Sequence, residues 1–289
     1  MAVTRRRRLL DDAAIDNVLD AAERHAHSSG YRVVIAIVDA AGNLLALRRT
    51  PDAQIASSAV AVDKARTAAR FVRPSRVLER QVSDGRLGAL ALHGAAALTG
   101  GIPLVVDGEV VGAIGTSGET PDEDESVSIA GAQAALTTTN APALDYTSAR
   151  RVAETAGDVA GNRGVAPVIA VVDEFGELVF LWRPDAAQPA SVSVASDKAR
   201  TAAIYRRPSK DFEDQASGGR ASALHLAQAV PLQGGIPLVE DGRVIGAIGV
   251  SGASSADEDQ ELALLGARAL NSDSRATRGS AQQMQGVRA

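Results

Sequence analysis

The chain of 289 residues contains no cysteine. That absence excludes disulfides, thiolate zinc sites, iron–sulfur clusters and cysteine nucleophiles, and leaves any metal to nitrogen or oxygen ligands. Aromatic residues make up only 3% of the chain, with a single tryptophan. Positive charge is not in excess either: 30 Lys and Arg against 35 Asp and Glu give a net charge of −5. Nothing in that balance favours nucleic acid or acidic lipid as a partner. Long apolar runs are also missing, since no window reaches the roughly 18 uninterrupted apolar residues of a membrane helix. The run Arg5 to Arg8 is followed by Asp11, Asp12 and Asp16 rather than an apolar stretch, so it reads as a solvated arm and not as a secretory signal. A cytoplasmic protein with a small-molecule partner, no nucleic acid and no membrane is the expectation.

What the chain does contain is a second copy of itself. Val34-Ile-Ala-Ile-Val-Asp39 recurs as Val168-Ile-Ala-Val-Val-Asp173, and Asp63-Lys-Ala-Arg-Thr-Ala-Ala69 as Asp197-Lys-Ala-Arg-Thr-Ala-Ala203. Gly100-Gly-Ile-Pro-Leu-Val105 recurs as Gly234-Gly-Ile-Pro-Leu-Val239, all at one offset of 134 residues. One extra residue then enters after Ser251-Gly252, aligning Asp124 with Asp259. Repeats of this length are whole domains rather than solenoid units. The repeat predicts a first domain over 1–139, a linker over 140–145, a second domain over 146–272 and a flexible tail over 273–289.

Each copy reads alike. Leu10 to His27 has helical apolar spacing and stops at Gly30. Arg32 to Val38 and Leu44 to Arg49 form a hairpin around Ala41-Gly42-Asn43. Gln54 to Arg70 is an alanine-rich helix ended before Pro74, and Val77 to Leu98 is ambiguous. A second hairpin turns at Asp107-Gly108. The final helix opens on Thr120-Pro-Asp-Glu123 in one copy and Ser255-Ala-Asp-Glu258 in the other, the pattern of a capping box. The order predicts an α+β sandwich, a mainly antiparallel sheet flanked by helices.

Glycines and apolar residues shared by the copies are explained by a shared fold, so chemistry is sought among the matched polar residues. On the Gln54 helix, Ser57, Lys64 and Thr67 lie near one face, as do Ser191, Lys198 and Thr201 on its counterpart. A lysine walled by alanines is either desolvated into a nucleophile or base, or stem-buried with its ammonium paired to a carboxylate such as Asp39. Arg49 and Arg183, beside Gln54 and Gln188, either clamp a ligand carboxylate or form plain ion pairs. Asp39 and Asp173 are either turn formers or catalytic acids. The strand-to-helix run containing Thr116, Ser117 and its match Ser251 offers backbone N–H groups to an anion, although Asp122 to Glu125 already use that helix dipole. The histidines His25, His27, His93 and His225 have no partners at the repeat offset, so no symmetric metal site is expected; His25 and His27 read as exposed.

Taken together, Ala36-Ile-Val-Asp39, Asp63-Lys-Ala-Arg-Thr-Ala68, Gly100-Gly-Ile-Pro103 and Gly112-Ala-Ile-Gly115-Thr-Ser-Gly118, with their second copies, resemble the GlcG/HbpS family, which includes the C-terminal domain of PduO-type corrinoid adenosyltransferases. The likeness spans about 10–139 and 144–272. It implies two tandem profilin-like α/β/α domains, self-association into homo-oligomers, and binding of haem or a related tetrapyrrole; the duplication itself leads to the expectation that the two domains pair about a pseudo-twofold axis. Haem is thus the implied cofactor. Where relatives use an axial histidine neither copy offers an equivalent, and an oxygen ligand such as Thr116 would serve in one copy only, because its match is Val250. Two other functions fit the residues: an enzyme acting on a small oxo- or hydroxy-acid through its Lys and Arg pairs, and a ligand-free assembly subunit.

Overall fold

The structure is a computed structural model that describes residues 5–285, with side chains described through 270. It divides into two compact units, one spanning 8–141 and the other 142–289 together with the stretch up to Arg7.

In the first unit, α1 (Asp12–Ser29) starts where Asp11 accepts the Ala14 N–H at 2.9 Å and stops at Gly30, whose φ of 74° suits a residue without Cβ. It buries Ala14, Val18, Ala22 and Ala26, one stripe at i, i+4 spacing. Strands β2 (Val34–Asp39) and β3 (Leu44–Arg49) form the first hairpin. Helix α2 (Ser57–Phe71) and the shorter α3 (Arg76–Ser83) follow, then a 3-10 helix over Leu87–Ala91. Strands β4 (Gly101–Val106) and β5 (Glu109–Ser117) make the second hairpin, and α4 (Pro121–Ala132) closes the unit. The sheet order is β3-β2-β5-β4, antiparallel throughout. Helices α1 and α4 cover one face, where Val18, Ile35, Ile114 and Val127 meet, and α2 covers the other through Ala61, Ala65 and Ala68.

The second unit repeats this with α5 (Tyr146–Asn162), β7 (Val168–Asp173), β8 (Leu178–Trp182), α6 (Ser191–Tyr205), α7 (Lys210–Ser217), a 3-10 helix over Ala221–His225, β9 (Gly235–Glu240), β10 (Arg243–Ser251) and α8 (Ala256–Gln285). Its sheet order is β8-β7-β10-β9. The α+β reading holds in both halves.

The repeated glycines seat the central helix on the sheet. A Cβ on Gly115 would lie 2.2 Å from the Ala61 carbonyl oxygen, and one on Gly101 would lie 2.1 Å from the Lys64 carbonyl oxygen. Gly249 and Gly235 meet Ala195 and Lys198 in the same way, each at 2.1 Å. Gly-Gly-Ile-Pro is therefore a site of close backbone packing.

Three stretches differ from the sequence reading. The arginine run is strand β1 (Arg5–Leu10), and the stretch containing the expected linker includes β6 (Thr138–Ala143), with which β1 pairs. The arginines are held by charge. Arg7 meets Glu174 at 2.9 Å and stacks on the Phe175 ring, while Arg8 meets Asp107 at 2.8 Å and donates to the Val106 carbonyl. The segment read as a tail begins inside α8, which continues to Gln285; the last four residues of that tail lie outside the described residues.

Some pairs exchange chemistry between the units as pairs. Arg48 on β3 reaches Asp20 and Glu23 of α1. At the matching positions Trp182 lies on Gly157 of α5, where a Cβ would come within 2.2 Å of the indole. An ion pair in one copy is thus an aromatic ring seated on a glycine in the other.

Candidate functional site

The lysines on α2 and α6 are buried, and their partner is not Asp39. Lys64 Nζ donates to Asp124 Oδ2 at 2.6 Å and to the Thr116 carbonyl at 3.0 Å. Lys198 Nζ donates to Asp259 Oδ2 at 2.8 Å and to the Val250 carbonyl at 2.9 Å. The second carboxylate oxygen is also used: Asp124 Oδ1 accepts the Glu119 N–H and Asp259 Oδ1 accepts the Ala253 N–H. Each pair therefore ties the central helix, a sheet strand and the turn into the last helix at one point. Space there is closed, since a Cβ on Gly100 or on Gly234 would sit 3.0 Å from the ammonium. Burial pushes the Asp124 carboxyl above the usual range while the Lys64 ammonium opposes it. The arrangement is an ammonium held by a carboxylate and a carbonyl, without room for a substrate beside it.

Asp39 acts locally, its Oδ1 accepting the N–H groups of Ala41 and Asn43 at 2.9 Å each. Asp173 does the same for Phe175 and Glu177 at 3.0 Å. Burial pushes the carboxyls of Asp173 and Glu174 up, and the nearby Arg7 guanidinium opposes both shifts. Thr67 Oγ1 donates to the Asp63 carbonyl and accepts the Ala96 N–H, and Thr201 Oγ1 bridges Asp197 and Val230 in the same way. These hydroxyls pin the loop that precedes β4 or β9. Thr116 is fully buried with its hydroxyl 2.8 Å from Ser128 Oγ, which donates onward to the Gly100 carbonyl. In the second unit that polar pair is Val250 and Ala263, both buried. Thr116 thus presents no free oxygen for a metal. Ser57, Ser191, Ser117 and Ser251 are buried at the ends of their helices and strands. Arg49, Arg183, Gln54 and Gln188 are exposed.

The acids of the last helix divide their work. Glu123 completes the capping box with Thr120, Asp122 and Glu125 hold Arg76, and Asp124 holds Lys64. In the second copy Ser255 Oγ accepts the Glu258 N–H, but the Glu258 carboxylate reaches the N–H of Ser254. The sequence does carry a signal for the buried pair: of only three lysines in the chain, two occupy this matched position. A chain that otherwise uses arginine needs the compact ammonium where a glycine Cα closes the space.

The sequence model described as "Haem degrading protein HbpS-like" matches residues 10–133 and again 144–268. The chain belongs to the HbpS-like family. Protein GlcG of Escherichia coli strain K12 is 42% identical over 83 residues, 29% of this chain and 62% of GlcG. The match thus spans less than two thirds of that relative's length. A variant of Streptomyces reticuli HbpS has 30% identity, covers 45% of this chain and 88% of its own, and superposes with a TM-score of 0.43. A PduOC:haem complex has 27% identity, covers 44% and 97%, and gives 0.41.

In this HbpS-like chain the histidines fall into two kinds. His25 is partly buried, contrary to expectation, with Nε2 at 3.1 Å from Ser126 Oγ, and His27 is exposed at the end of α1. His93 and His225 are exposed, His225 at the end of its 3-10 segment and His93 in the turn just past the other one. Among the described residues no cluster of three or more His, Asp or Glu is placed to hold a metal ion by itself, and no helix is long and apolar enough to cross a membrane.

Proposed function

We propose that this protein binds haem or a related tetrapyrrole. The observation that carries the reading is the match of an HbpS-like, haem-degrading family model to both repeats. The donor set fits in kind. A tetrapyrrole asks for an apolar surface for its ring, a nitrogen or oxygen ligand for its metal, and cations for its edge carboxylates. The chain supplies exposed leucines, exposed imidazoles and exposed guanidinium groups. The matched lysines, threonines and serines of the central helices belong to the protein's internal bonding, and on this reading they shape the domain that presents the ligand surface. An acid-processing enzyme with Lys64 or Lys198 as base draws no support from ammonium groups sealed beside Asp124 and Asp259.

Titration of the purified protein with haem, followed by absorbance in the Soret region, tests the reading. A shifted, saturable band at stoichiometric haem is expected. A spectrum identical to free haem overturns it.

A further inference from the structure

The 3-10 segments after α3 and α7 carry a matched set of exposed residues. Arg86 and Arg220 stand at their N-terminal ends, and both are exposed. Leu90 and Leu224 occupy equivalent positions and are 63% and 58% exposed. Burying such a side chain is worth about 1.5–3 kcal/mol, so an apolar ligand face resting on either leucine gains from the contact. His93 lies two residues past the end of the first segment, and His225 is the last residue of the second. The turn that follows is also shared: Gly94 has φ 72°, and at the matching position Gln228 holds φ 57°, a conformation that costs a non-glycine residue about 1–2 kcal/mol. A backbone held against that preference is a mark of functional segments.

We infer that His93 and His225 are the iron-ligating side chains, one in each unit, for haem lying on these segments. The inference rests on the haem reading above and names its site. Leu90 and Leu224 meet the porphyrin face, and Arg86 and Arg220 meet its edge carboxylates. Five residues at about 2 Å of rise put the backbones of Arg220 and His225 roughly 10 Å apart, and the long arginine side chain adjusts that span. Each guanidinium spends one N–H donor on a glutamine, Gln81 or Gln215, which fixes its base and leaves further donors for a carboxylate. The histidines occupy different sequence positions within equivalent segments, which is why no histidine pair appears at the repeat offset. His25 is engaged with Ser126, and His27 sits among serines.

The test is haem titration of the full chain and of three variants, His93→Ala, His225→Ala and the double variant, with far-UV circular dichroism to verify the fold. Wild type is expected to take up two haems per chain and each single variant one. The double variant is expected to lose the shifted Soret band and to regain it on addition of free imidazole. If wild type shifts no band, the haem reading itself falls. If wild type binds and the double variant keeps its band position and stoichiometry, this assignment falls while the haem reading stands. A single variant that loses both haems overturns one ligand per unit. Leu90→Glu with Leu224→Glu provides a second arm: weakened haem uptake supports the surface, whereas unchanged uptake with a lower assembly mass in native mass spectrometry identifies it as a contact between copies of the chain and overturns the proposal.

Discussion

Replacing Lys198 by methionine isolates the energetic role of the buried ion pair. The substitution keeps the apolar stem and removes the ammonium, leaving Asp259 without its cation in a closed space with one N–H from Ala253, and leaving the Val250 carbonyl without its donor. Removing one partner of a buried pair costs about 3–5 kcal/mol, because the remaining group is left buried without its partner. With a urea m-value of about 2 kcal/mol/M for a domain of this size, a loss of about 4 kcal/mol lowers the unfolding midpoint by about 2 M. Trp182 is the only tryptophan and lies in the same unit, so its emission reports the transition directly. Lys210→Met is the control: Lys210 meets Asp214 at 2.7 Å in an exposed i, i+4 pair, which solvent screens, so its loss should leave the midpoint almost unmoved. The variant with Lys198→Met and Asp259→Leu together should recover part of the loss but not all, since the orphaned Ala253 N–H still costs about 1–3 kcal/mol. A midpoint for Lys198→Met no lower than that of Lys210→Met refutes the reasoning and makes the pair a bystander.

Glycine substitutions in that unit should separate close packing from open space. Gly249→Ala drives a Cβ to within 2.1 Å of the Ala195 carbonyl and is expected to destabilise by about 1–3 kcal/mol or more; Gly161→Ala in α5 meets nothing within 4 Å and is expected to stabilise by about 0.4–1 kcal/mol, both read from Trp182 emission in urea. Thr116→Val with Ser128→Ala recreates the Val250 and Ala263 pair of the second copy; thermal unfolding should show the double variant closer to wild type than the summed single variants, with a coupling of about 0.5–3 kcal/mol. The acids near Arg7 predict a pH dependence. Burial raises the folded-state pKa of Asp173 and Glu174, so their contribution is fully present below the unfolded carboxylate value and is lost as pH climbs through the raised folded values. Arg7→Met removes the opposing cation and should extend that loss to higher pH; parallel unfolding midpoints for variant and wild type across pH 4–7 would count against it.

The hairpins, the central helices and the capping box were legible because each follows from a short-range rule: alternation, turn residues, and a hydroxyl three residues before a carboxylate. Strand β1 was not legible, since a run of four arginines has no apolar alternation. It forms because β6 supplies its backbone partner about 130 residues away and because Glu174 and Asp107 receive two of its charges. The partner of Lys64 was missed for a similar reason. Asp39 was nearer in sequence, but its oxygens are consumed by its own turn, whereas Asp124, read only as a helix-start acid, projects onto the sheet. Both residues stood among the matched polar set, and a buried ammonium requires a carboxylate. The pairing was therefore available as a constraint, though not as a local pattern.

Two copies of one fold in a single chain permit a sharper separation of roles than one copy would. Some positions are retained because the fold needs them in both, as with Lys64 and Asp124 or Thr67 and its bridge to Ala96. Others exchange as coupled pairs, Arg48 with Glu23 against Trp182 with Gly157, and Thr116 with Ser128 against Val250 with Ala263. Such exchanges show that the packing geometry is fixed while its chemistry is free, which is what structural contacts allow. Arg86 and Arg220 belong with the retained contacts, since each keeps the same hydrogen bond, to Gln81 in one unit and to Gln215 in the other. Leu90 and Leu224 are matched yet exposed, and haem uptake by the Leu90→Glu, Leu224→Glu variant decides whether a ligand is the reason they are kept.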